Sequence, residues 1–227
     1  LAIEHVDQRV PVAAPRVELT EGVQRLEVLH RDAERWDDLV SLEERMLEME
    51  MGAPAEVRYR LGKNRLEKTG DAEGAIEAFR TNLEQNPSHE PTVAMLEALM
   101  EGSDHRGAAA EILEPVFQRR MAWPKLIGAL RARLSVEEDT ETRKSIHSRI
   151  GQIHEDHLED LAGAMEAYAL LFHEEPTDRN AWDLLTRLAR AQDRFGRLAE
   201  IYAEALEKIE VDEPATTELA LETGRLY

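Results

Sequence analysis

Leu185, Leu188 and Ala189, then Leu198, Ile201, Tyr202 and Leu206, recur at the i, i+3, i+4 spacing that gathers apolar side chains on one face of a helix. The stripe loses phase between Gln192 and Arg194, which predicts two helices joined there. Leu113 and Val116, followed by Trp123, Leu126, Leu130 and Leu134, repeat the stripe 72 residues earlier. Asp71, Asp104 and Asp178 carry short carboxylates able to accept the free amides of a helix start, and Pro87 and Pro176 stop the helices before them. The chain therefore reads as helices of roughly 12 to 18 residues joined by short turns, with no strand.

The same pattern is written more than once. "GDAEGAIEAFRTNLEQNP" (70–87) and "EDLAGAMEAYALLFHEEP" (159–176) lie 89 residues apart and align Ala75 with Ala164, Glu77 and Ala78 with Glu166 and Ala167, Phe79 with Tyr168, and Pro87 with Pro176. A residue–Gly pair recurs before them at Leu61-Gly62 and Ile150-Gly151, and again at Thr223-Gly224. An aromatic after a short turn recurs at Trp36, Trp123 and Phe195. Helices approach closely only where one offers a small residue, so Gly62 and Gly151 are expected to face an aromatic on the next helix. One helix pair cannot bury its apolar face alone, which is why such units stack in series.

These residues resemble the tetratricopeptide repeat. Trp182 and Leu185 match the aromatic and leucine of that family's first helix, Gly62 and Gly151 its small residue, and Ala75, Phe79, Ala164, Tyr168, Tyr202 and Ala205 its second helix. Gly62 stands one residue further from Gly70-Asp71 than the family pattern has it. The resemblance implies an all-α, right-handed superhelical solenoid of antiparallel hairpins, with about 11 or 12 helices. It also implies a protein-interaction scaffold. In one version of the family, Lys, Arg and Asn on first helices clamp a C-terminal carboxylate; Arg58, Lys63 and Asn64 supply those types here, whereas Thr186 and Arg187 do not complete the set.

The landmarks are unequally spaced. Pro87 to Trp123 spans 36 residues, against 19 from Pro176 to Phe195, and the surplus suits one extra helix. It is expected within residues 90–120, as two helices split at "EGSDHRG" where the later copy has one. An odd number of reversals there should exchange inner and outer walls or break the superhelix. Residues 1–19 read as an irregular or partial segment and 20–227 as the array. "TELALETGRLY" aligns with "KSIHSRIGQIH" at a shift of 73, so the chain is expected to stop inside a repeat, with Tyr227 in mid-helix and an exposed apolar face.

Composition narrows the chemistry. The 227 residues include no cysteine, which excludes disulfides and thiolate chemistry, and no apolar run of the roughly 20 residues that a membrane span needs. No phosphate-binding glycine loop is present, and neither is a Gly-x-Ser-x-Gly elbow. His147, His154 and His157 cluster near Glu155, Asp156 and Asp160, but the 89-residue shift places them on Arg58, Arg65 and Lys68, which reads as the basic surface of an equivalent helix rather than a metal site. No cofactor is implied and no catalytic residue is assigned.

The formal charge of −19 repels phosphate backbones and argues against nucleic acid. One stretch reverses the sign. Between Asp104 and Leu134, Arg106, Arg119, Arg120, Lys125, Arg131 and Arg133 face three acids. These six are the candidate contacts for an acidic protein segment or for an acidic part of another copy of the chain. The competing expectation is that they pair with acids of neighbouring repeats. The function expected is a scaffold for a partner protein or peptide. The alternative is a helical accessory region of an enzyme whose catalytic domain lies outside this chain. The expected compartment is the cytoplasm, with the periplasm as the alternative.

Overall fold

The computed structural model describes residues 14–102 and 104–207, together with 217, 220, 221 and 223–225. Among them are eleven α-helices and no strand: α1 (Ala14–Asp32), α2 (Trp36–Glu48), α3 (Pro54–Asn64), α4 (Ala72–Gln85), α5 (Glu90–Gly102), α6 (Arg106–Arg119), α7 (Trp123–Leu134), α8 (Thr140–Asp156), α9 (Leu161–Glu174), α10 (Arg179–Gln192) and α11 (Phe195–Leu206). A single π turn, Arg65–Thr69, follows α3. The fold is all-α and built of sequence-adjacent helices packed in pairs, of which α3 with α4, α6 with α7 and α8 with α9 are the most extensive. Ala14 is the first described residue of α1, and Pro15 suits a first helical turn because its missing amide is one a helix leaves unpaired anyway. Tyr227 lies outside the described residues, and Gly224 is helical.

Four aspartates cap helices. Asp71 accepts from the Gly74 amide at 2.9 Å, Asp139 from Thr142 at 2.8 Å, Asp160 from Gly163 at 2.9 Å and Asp178 from Asn180 at 2.9 Å. Asp104 does not, because α6 begins one residue later behind His105, which makes no side-chain cap. The phase break after Gln192 is a left-handed residue, Asp193 at φ 55°. The surplus before Trp123 is an extra helix: α5 and α6 occupy the interval that α10 alone fills before Phe195. Since Leu113 and Val116 of α6 correspond to Leu185 and Leu188 of α10, α5 is the inserted element.

The chain forms two compact units, which meet in sequence between Ala98 and Leu99, inside α5. In the first, Leu39, Val57, Leu61, Ala75, Phe79 and Leu83 are buried, and Met46 and Met51 pack on Val57. In the second, α9, α10 and α11 share a core in which the rings of Phe172, Trp182 and Tyr202 lie 5.4 to 6.1 Å apart. Trp182 also donates its indole N–H to the Pro176 carbonyl at 2.7 Å, which ties the start of α10 to the end of the preceding turn.

Candidate functional site

Each unit contains the same four-helix module, α1–α4 in the first and α6–α9 in the second, and the correspondence reaches individual contacts. A Cβ added to Gly62 would stand 2.5 Å from Cε1 of Phe79, and one added to Gly151 would overlap the ring of Tyr168 at the same place. The glycines thus meet the aromatics expected from the sequence. Buried Glu27 accepts from Arg60 at 2.7 Å, and buried Glu114 accepts from Arg149 at 2.8 Å. Lys68 lies 4.8 Å over the ring of Trp36, while His157 stacks on Trp123 with centroids 3.8 Å apart and planes 6° from parallel. The additional residue between Gly62 and Asp71 is absorbed by a wide return in both modules: Asp71 N–H reaches the Arg65 carbonyl at 2.9 Å, through the π turn, and Asp160 N–H reaches that of His154 at 2.9 Å.

The turn ahead of each tryptophan is also shared. Met121 at φ 53° sends its amide to Gln118, and Ala122 returns to Phe117 at 2.9 Å. Glu34 at φ 52° and Arg35 do the same onto Arg31 and His30. Both are Schellman turns with a side-chain-bearing residue where glycine is usual. This turn puts Arg119, Arg120 and Met121 at one end of the α6–α7 hairpin, with Met121 71% exposed. Both arginines occupy the last turn and C-cap of α6, where cations suit the helix dipole.

The six candidate bases divide. Arg119, Arg120, Lys125 and Arg131 are exposed. Lys125 lies 5.7 Å over the Phe117 ring, and neither Arg119 nor Arg131 has an acidic partner among the described residues. Arg133 turns inward instead and donates to Glu114 at 2.8 Å, so that this carboxylate is held by arginines of both α7 and α8. Arg106 is half-buried and donates to the Glu101 carbonyl at 3.3 Å. Sequence reading did not single out Arg149, which donates to both Glu114 and Gln118 and helps line a cavity of about 170 Å³ with Trp123, Gln152 and His157. The signal was available, because the 89-residue shift places Arg149 on Arg60.

The histidines go to three different places. His154 contacts Asp160 at 3.0 Å and His157 covers Trp123. His147 is buried, 3.6 Å from Glu174, and desolvation holds its pKa below the ordinary value. It therefore does not lie on a basic surface as expected: α8 turns this position onto α9, whereas Arg58, its counterpart, is half-buried. Among the described residues no three side chains of metal-ligating type converge. Of the carboxylate-clamp types, Asn64 is committed to the fold, donating to both oxygens of buried Glu43 at 3.1 and 3.0 Å. Thr186 bonds the Tyr202 hydroxyl at 3.2 Å, and Arg187 pairs with Glu155. No helix among the described residues is long and apolar enough to cross a membrane.

No protein-family model and no curated protein matches the chain. Among solved structures it is similar to a thermophilic TPR protein of Thermus thermophilus, with 20% identity over 91% of this chain and 98% of that one and a TM-score of 0.30. The helical-repeat character of the chain rests on its own paired helices and on the contacts that recur between α1–α4 and α6–α9.

Proposed function

We propose that this chain is a protein-interaction scaffold that takes an acidic segment of a partner on the exposed face of the α6–α7 hairpin. The observation that carries the reading is the grouping of Arg119, Arg120, Lys125 and Arg131 as exposed side chains on one hairpin of a chain with net charge −19. Attraction of this kind raises the association rate and fixes orientation, and it weakens as salt screens it over about 8 Å at physiological strength. Arg133 and Arg149 support the face from beneath by neutralising Glu114, which would otherwise be a buried, unpaired charge.

Fluorescence anisotropy of a labelled Glu-rich peptide across a salt series tests this. The variant Arg119→Glu/Arg120→Glu/Arg131→Glu is expected to stay folded, with a slightly lower melting temperature because two anions then stand at the C-terminal end of α6, and to lose binding, most clearly at low salt. Equal binding by the variant and the parent, or binding indifferent to salt, would contradict the reading.

A further inference from the structure

The two modules carry the same slot with opposite charge. Trp36 and Trp123 align at a shift of 87 residues, and under that shift the segment 32–50 falls on 119–137. The first has eight acids against two bases, a charge of −6; the second has five bases against one acid, a charge of +4. The contrast survives folding. On the acidic side Asp32, Glu34, Asp37, Glu48 and Glu50 are exposed, even with Glu43 buried, Glu44 held by Arg65 and Asp38 by Arg35. On the basic side Arg119, Arg120, Lys125 and Arg131 are exposed, and Arg133 is drawn inward to Glu114.

Shape adds to charge. Met121, which follows Arg119 and Arg120 in the chain, is more exposed than any other large apolar side chain described. Beside Trp36 lies a cleft of about 420 Å³ lined by Glu34, Asp37 and Asp38, by Arg35, which pairs with Asp38, and by Lys68 and Thr69. An exposed apolar side chain in a stretch of bases and a cleft in which three acids face two bases are complementary, and binding energy at interfaces concentrates in such anchors.

We infer that the partner of the basic face is a second copy of this chain: the α6–α7 hairpin of one copy docks on the start of α2 in another, with Met121 entering the cleft beside Trp36. This rests on the reading of that hairpin as a docking face and names its occupant. Each copy bears one face of each sign and the two differ, so the contact is heterologous. It closes into a ring or small oligomer if its geometry allows and otherwise extends.

Sedimentation velocity over a concentration series tests the inference on the whole chain. The parent is expected to show a mass above one chain at low salt and the mass of one chain at high salt. Arg119→Glu/Arg120→Glu/Lys125→Glu has two acidic faces, and Glu34→Lys/Asp37→Lys has two basic ones. Each alone should sediment as one chain, and an equimolar mixture should recover the heavier species. Circular dichroism checks folding, and the neutral set Arg119→Ser/Arg120→Ser/Lys125→Ser replaces the reversal if the latter unfolds. A parent that stays a single chain at low salt overturns the inference, as does association that both reversals leave intact. If the parent stays single while the Glu-rich peptide still binds the basic face, the docking face stands and only its assignment to a second copy fails. If copies associate but the peptide does not bind, the reading of the face as a site for acidic segments fails instead.

Discussion

In α1–α4, Glu43 is fully buried and holds Asn64 of the facing helix, with the Arg60 guanidinium 3.5 Å away. In α6–α9 the corresponding residues are Leu130 and Ile153, both buried and apolar. The outer members of the layer agree, Glu27 with Arg60 and Glu114 with Arg149. One backbone arrangement thus accepts either a hydrogen-bonded polar pair or an aliphatic one at its centre, provided that the buried acid beside it keeps its arginine. The exchange is possible because carboxylate and amide satisfy one another, at the expense of taking a charge out of water. Burial accordingly holds the Glu43 pKa above the usual carboxylate range, against the opposing pull of Asn64 and Arg60.

Moving the polar pair from one module to the other tests their equivalence. Leu130→Glu places a carboxylate in the aliphatic centre without its amide partner and is expected to cost about 3–5 kcal/mol, read as a fall in the denaturation midpoint with unchanged slope. Adding Ile153→Asn should recover part of that loss; no recovery would mean that the two centres are not equivalent. The reverse exchange, Glu43→Leu with Asn64→Ile, is expected to be neutral or to stabilise by up to about 4 kcal/mol, since an aliphatic pair of similar volume needs no desolvated charge. Gly62→Val and Gly151→Val should each cost about 1–3 kcal/mol, because Phe79 and Tyr168 are buried rings with no room to retreat. Hydrogen exchange should localise each loss to the module that carries the change, and a loss in both would contradict their separateness.

A smaller effect separates the modules by pH. For Glu43, whose folded pKa is raised, stability in α1–α4 should be gained as pH falls through that raised value, completely so below the ordinary value of 4.5. His147 has the opposite sign. Its folded pKa is lowered by burial against the pull of Glu174, so below the ordinary value of 6.5 the unfolded chain binds a proton that the folded one resists, and α6–α9 should weaken. Exchange protection measured between pH 7 and pH 4, about the range these two groups span, should diverge between the modules, and Glu43→Gln and His147→Gln should each flatten one branch. Parallel branches would show that other groups dominate.

Much of this was legible in the chain. The positions of Gly62, Phe79, Gly151 and Tyr168 announced a repeated close approach, and the unequal spacing around Trp123 announced an inserted helix, because both follow from local periodicity and length. Side-chain pairing was harder to see. Arg133 looked equivalent to Arg131 in sequence, yet two residues along a helix turn it by about 200°, toward Glu114 rather than solvent. His147 read as surface because its counterpart is an arginine, whereas burial depends on the facing helix, α9, which periodicity does not specify. Asp104 was a credible cap by type, and a one-residue offset of the helix start removed it.

One slot, written twice, carries segments of opposite formal charge, −6 over residues 32–50 and +4 over 119–137, and the two tryptophans test whether the local potential follows. With Trp182→Phe in both, Trp123→Phe leaves Trp36 as the probe and Trp36→Phe leaves Trp123, because the chain has three tryptophans. Quenching by iodide and by caesium should then differ in sense: iodide should be the more effective at Trp123, in the segment of Arg119, Arg120 and Lys125, and caesium at Trp36, where Glu34, Asp37 and Asp38 outnumber Arg35 and Lys68. The two iodide-to-caesium ratios should converge as inert salt is added. Equal ratios at low salt, or a larger iodide response at Trp36, would show that the two slots do not differ in sign.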